Sequence, residues 1–132
     1  QHILLRFLRD VFFQHDPLCA PLADSYDIVI ASLFLHHLDQ SQALTLLVRM
    51  AEAARTMIVI NDLERRRAGW LLAWLGTRLL SRSPVVRVDG PRSVAAAFTI
   101  DEAHALAIAA RLGPVRITRH WPYRYRLIWR RA

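Results

Sequence analysis

Two adjacent imidazoles, His36 and His37, close an apolar run over residues 26–35, and two further apolar runs end in carboxylates, one at Asp16 and one at Asn61-Asp62. An imidazole titrates near neutral pH, so either histidine could act as a base or orient an acceptor. Neighbouring histidines on a turn point in different directions and cannot both face one proton; one is available for chemistry and the other for structure. The same geometry makes them poor chelators. Cys19 is the only thiol and no carboxylates cluster nearby, so no metal site is expected. The four glycines, at 69, 76, 90 and 113, are too far apart to form a phosphate loop, and no serine-hydrolase pattern occurs.

The elements that would position these groups can be read from periodicity. Residues 26–34 are too uniformly apolar for a half-solvated strand, which predicts helices over both faces of a parallel sheet. Ligand sites in such sheets lie at the carboxyl ends of the strands, here beginning near Ser32. Asp39 stands three residues ahead of Gln42, the spacing of a capping box, and opens a helix with Leu44, Leu47, Val48, Ala51 and Ala54 as its buried stripe. The run 57–60 is the next strand. Residues 65–80 read as a helix that is apolar on most sides, and 81–93, with two prolines and a glycine, as an irregular loop. Thr99 and Glu102 form a second capping box, and Gly113-Pro114 should close the helix it opens. Residues 115–129 read as two strands broken at Pro122, with Tyr125, Leu127 and Trp129 on the packed face. At the other end, Leu4, Leu5 and Leu8 suggest the tail of an amphipathic helix over 1–9, followed by a short strand at 11–13 that Pro17 terminates. Strands alternating with helices give an α/β layer architecture.

Composition narrows the classes. At 132 residues and 54% apolar content the chain is one domain with a real core, not a disordered segment. The longest greasy stretch, 68–80, is interrupted by Arg78 and is shorter than the roughly 20 residues of a membrane span. No secretory leader pattern is visible, so a cytoplasmic location is expected. A lone Cys19 is most simply a packing residue. All 18 basic residues are arginine, giving a formal charge of +7. They are scattered apart from Arg65-Arg66-Arg67 and the stretch 116–131. That charge attracts polyanions without specifying one, and strand alternation already explains the arginine and aromatic residues of 119–131, so nucleic acid is not an expected partner.

The order of these pieces resembles a class I S-adenosylmethionine-dependent methyltransferase. The matching residues are Asp16-Pro17, Tyr26-Asp27-Ile28-Val29, Leu35-His36-His37-Leu38 and Val59-Ile60-Asn61-Asp62-Leu63, with Val88-Asp89-Gly90-Pro91-Arg92-Ser93 and Ala97-Phe98-Thr99 pointing towards small-molecule enzymes of the ubiquinone- and menaquinone-biosynthesis kind. The resemblance implies a partial Rossmann-like sheet, mostly parallel with a C-terminal antiparallel hairpin. The glycine-rich strand-turn-helix unit that opens the family has no counterpart, so residues 1–132 are read as a single N-terminally truncated domain, with weak affinity for the cofactor by itself. By this resemblance Asp16, Pro17, Ser32, Leu33 and Phe34 contact S-adenosylmethionine, His36 or His37 serves the reaction, and Asp62, Asp89, Arg92 and Ser93 face a small-molecule acceptor. Phe34 could favour the sulfonium through its ring face, worth about 0.5–2 kcal/mol. The competing reading is a non-catalytic methyltransferase-like remnant or partner subunit that associates through an exposed sheet edge.

Overall fold

The computed structural model of the chain describes residues 3–6, 12–15 and 26–132. Asp16, Pro17 and Cys19 lie outside the described residues. Strands β1 (Ile3–Arg6) and β2 (Phe12–His15) pair antiparallel as a hairpin, and β1 lies beside β3 (Tyr26–Ser32). The helix expected over 1–9 is therefore a strand at its centre. After a 3₁₀ turn (Leu35–His37) come α1 (Gln40–Ala53), β4 (Ala54–Leu63), α2 (Arg67–Leu80), α3 (Pro84–Ala96), α4 (Ile100–Ala109), β5 (Val115–His120) and β6 (Arg124–Arg130).

The main sheet has the order β3-β4-β6-β5. Only β3 and β4 run parallel, while β6 is antiparallel to both β4 and β5. Among the described residues the sheet is thus mixed, not mostly parallel. Side chains alternate across a strand, and register aligns the inward ones in rows. Val29, Ile58, Trp129 and Val115 form one row, and Ala31, Ile60, Leu127 and Ile117 form the next. Helices α1 and α4 cover this face, burying Leu46, Leu47, Met50, Ala103 and Leu106 against it. The opposite face, with Ile28, Ile30, Met57, Val59 and Ile128, is half-buried. Cover on both faces was the sequence expectation; the described elements cover one.

Both capping boxes form. The Asp39 carboxylate accepts the Gln42 N–H at 2.8 Å while the Gln42 side chain accepts from the Asp39 N–H, and Thr99 with Glu102 repeats the arrangement. At the end of α4 the left-handed residue is Arg111, with φ 56°, and not Gly113. The expected loop 81–93 is mostly α3. Pro84 begins it at the first turn, where its missing N–H is harmless, and Pro91 lies inside it. Its partner is α2, and the two approach so closely that a Cβ on Gly90 would fall 2.7 Å from Thr77 Cγ2. Gly69 does the same for α2 against Tyr123, in the turn between β5 and β6. Among the described residues no helix is long and apolar enough to cross a membrane.

Replacing Asp39 with Ala should lower the midpoint of a urea titration, because the first turn of α1 loses its acceptor. A variant as stable as the parent would show that α1 is held by packing alone.

Candidate functional site

The inward rows of the sheet end in two polar residues. Asp62 continues the face of Ile58 and Ile60, and register sets it opposite Tyr125. Asp62 is 1% exposed. A carboxylate buried without partners would be prohibitively costly, and this one has four donors. Its Oδ2 accepts the backbone N–H groups of Phe34 and His36, each at 3.2 Å. Its Oδ1 accepts the Leu63 N–H at 2.7 Å and faces His36 Nδ1 at 2.6 Å. Since a carboxylate can only accept, Nδ1 of His36 carries a proton, and in the neutral ring this leaves the lone pair on Nε2. Among the described residues, Nε2 of His36 has no hydrogen-bond partner.

Local structure brings the imidazole there. Leu33 takes a left-handed φ of 52° and donates its N–H to the Asn61 carbonyl at 2.8 Å, turning the chain off β3. Phe34 and Leu35 plunge into the core, and His37 and Leu38 N–H groups close the 3₁₀ turn onto the carbonyls of Phe34 and Leu35. Strain of the Leu33 kind persists only where surrounding contacts over-determine it. The core pair and the Asp62 carboxylate supply those contacts.

His37 lies on the outer side of the turn, its ring centroid 4.1 Å from that of His36. Burial, and after it the neighbouring imidazole, lower its pKa below the ordinary value, against the opposing pull of Asp62 and Asp89. Asp89 acts from α3, which packs on the turn. Beneath the site Tyr125 is fully buried with its hydroxyl unpartnered among the described residues; burial, and then the Asp62 charge, hold the phenol protonated. Glu64, also buried, receives Arg119 Nε–H on both oxygens at 3.1 and 3.2 Å, with Arg66 at 3.7 Å, and donates its own N–H to the Tyr123 carbonyl. It ties the end of β4 to the hairpin that carries Tyr125.

Of the residues singled out from sequence, the fold brings together His36, His37 and Asp62, with Ser32, Leu33 and Phe34 at the adjoining strand end. The Ser32 hydroxyl accepts from Asn61 Nδ2 at 3.3 Å, Leu33 is exposed, and Phe34 belongs to the core cluster. Asp89, Arg92 and Ser93 share α3. Asp16 and Pro17 lie outside the described residues. The arginine triplet is partly engaged, Arg65 by Glu102 and Arg66 by Glu64, and borders a cleft with Trp70 and Val94. Among the described residues no group of three or more His, Cys, Asp or Glu could hold a metal ion. Glu64 and Tyr125 escaped the sequence reading. Alternation turned Tyr125 inward, but nothing local marks the strand register that sets it opposite Asp62.

Truncating Asp62 to Ala leaves three backbone N–H groups and an imidazole without this acceptor, and should cost about 3–5 kcal/mol in denaturant unfolding; a loss under about 1 kcal/mol would contradict the buried four-donor arrangement. His37 gives a pH test. The unfolded chain protonates this imidazole near the ordinary value of 6.5 and the folded chain only at lower pH. Within that window the unfolded state binds more protons, so His37 makes stability fall as pH drops. The His37→Gln variant should show a flatter decline than the parent between about pH 7 and pH 5, and an unchanged slope would refute the assignment.

No family model matches this chain, and no curated protein matches it. Solved structures do. Human N-acetylserotonin methyltransferase in complex with SAM superposes with a TM-score of 0.60 at 14% identity, over 89% of this chain and 32% of its own. An O-methyltransferase family protein from Burkholderia thailandensis gives 0.60 at 15% identity, over 92% and 36%. The magnesium protoporphyrin IX methyltransferase of Synechocystis PCC 6803, with bound SAH, gives 0.56 at 14% identity, over 91% and 50%. This chain thus spans a third to a half of the length of those proteins. At such identities the likeness shows the fold, and that fold is the Rossmann-like α/β architecture of methyltransferases.

Proposed function

We propose that the chain takes part in S-adenosylmethionine-dependent methyl transfer to a hydroxyl of a small-molecule acceptor, with His36 as the base. The observation that carries the reading is the His36–Asp62 pair at the carboxyl edge of β3 and β4, where open α/β sheets place their ligands. Methyltransferase names among the fold neighbours support it, two of those proteins having been crystallised with SAM or SAH.

The residues present fit the methionine end of the cofactor. The left-handed turn at Leu33 leaves the strand end open, and the Ser32 hydroxyl with the carbonyls beside it offers acceptors suited to an ammonium group. The Phe34 ring is committed to the core, so Phe34 enters this reading through its backbone. Asp16 and Pro17 complete the proposed cofactor contacts by resemblance. When bound, S-adenosylmethionine supplies a methyl group activated on a sulfonium.

His36 Nε2 takes the acceptor's hydroxyl proton as the oxygen becomes a nucleophile, and the Asp62 carboxylate holds the imidazole in the tautomer that leaves Nε2 free. Asp62 is then a positioning residue, since both its oxygens are occupied by protein donors. His37 flanks the acceptor side with Asp89, Arg92 and Ser93. The sequence resemblance points to a small-molecule acceptor of the quinone-precursor kind and leaves the methylated atom open; the O-methyltransferase names among the fold neighbours support oxygen.

A ¹⁵N-labelled chain titrated with S-adenosylhomocysteine should shift the backbone amides of residues 32–34 first; no shift there at millimolar ligand would overturn the cofactor assignment. Methyl transfer from labelled S-adenosylmethionine to a panel of catechols and hydroxyquinones should fall about 10²–10⁴-fold in His36→Gln. Undiminished turnover in that variant would remove His36 from the mechanism.

A further inference from the structure

The α2–α3 hairpin stands apart from the core. Of the fourteen residues of α2 only Gly69 is buried, and the hairpin's outer end exposes Leu79 by 80%, Leu80 by 90% and Val85 by 70%, with Trp70, Leu71 and Leu75 half-exposed behind them. Contiguous apolar surface of this kind marks an interaction site, not ordinary surface. Its charge is one-sided. Across the hairpin, residues 67–96, there are five arginines and a single carboxylate, Asp89, a formal charge of +4. Arg78 lies over the Trp74 ring at 4.0 Å, and Arg87 bridges the two helices by donating to the Ser81 carbonyl, so cations ring the apolar tip.

We propose that this hairpin docks on an anionic lipid surface, with Leu79, Leu80 and Val85 entering the acyl boundary and Arg78 and Arg82 meeting the headgroup phosphates. Leucine at a tip with tryptophan and arginine just behind it is the layering of a bilayer interface, where apolar groups go deepest, aromatic rings lie at the headgroup level and cations face anionic lipid. At fourteen residues α2 is too short to span a bilayer and long enough to lie on one. A second copy of the chain is a poor occupant, because two faces carrying the same +4 would repel. A nucleic acid would satisfy the arginines and leave the leucines in water. The inference does not rest on the methyl-transfer reading, since Leu79, Leu80, Val85, Arg78 and Arg82 take no part in that reading.

Vesicle flotation tests the proposal, comparing phosphatidylcholine alone with phosphatidylcholine carrying about a third phosphatidylglycerol. Binding should require the anionic lipid. The double variant L79S/L80S, which alters only exposed side chains, should lose at least tenfold in vesicle affinity while its circular dichroism and melting are unchanged. Arg78→Gln with Arg82→Gln should lose about tenfold or more. Equal flotation with both vesicle types, no flotation with either, or binding indifferent to L79S/L80S would each overturn the proposal. So would a dimer that L79S/L80S dissociates in a protein that ignores vesicles, or retention of RNA with no retention of lipid.

Discussion

One buried carboxylate organises the carboxyl edge of β3 and β4. Asp62 arrives at its position because strand alternation must turn it to the face of Ile58 and Ile60, where water cannot serve it. Burial there is tolerable only if protein donors replace the solvent, and three of the four come from Phe34 and His36 at the 3₁₀ turn. The two backbone N–H groups fix where the chain runs after β3, and the imidazole contact fixes which way His36 faces. A requirement of solvation thereby becomes a requirement of geometry.

The surrounding elements serve that constraint in layers. Parallel pairing of β3 with β4 brings the two strand ends side by side, the antiparallel β6 closes the row beneath with Tyr125, and the Glu64–Arg119 pair ties the end of β4 to the hairpin beyond. Helices α1 and α4, each set by a capping box, cover the inward rows. Helices α2 and α3 belong to a different regime. They pack chiefly on one another, through contacts as close as Gly90 against Thr77, and α3 meets the turn beside His37. The 3₁₀ turn therefore contacts both the sheet and an outer helical pair whose exposed surface is basic.

Local chemistry was legible in the sequence wherever it acts over a few residues. The capping boxes at Asp39 and Thr99 depend on a spacing of three, and both are present; the alternation of Tyr125, Leu127 and Trp129 depends on a period of two, and all three are buried. Helix α3 was hidden because Pro84, Gly90 and Pro91 argue against a helix and its apolar residues follow no helical stripe; contact with α2 overrides that weak local preference. At the start of the chain, Leu4 and Leu5 fit either period, and the strand is set by pairing with β2. His36 and Asp62 were each visible as polar residues at strand ends, but their contact spans twenty-six positions and depends on register, which single residues do not announce. The same holds for Glu64 with Arg119.

The most direct test is the tautomer of His36. Nitrogen-15 spectra of the histidine rings at neutral pH should show Nδ1 of His36 protonated and slow to exchange, with Nε2 unprotonated, and the Asp62→Asn variant should lose that pattern. A proton on Nε2 with none on Nδ1 in the parent chain, or an identical pattern in the variant, would mean that the carboxylate does not hold the imidazole.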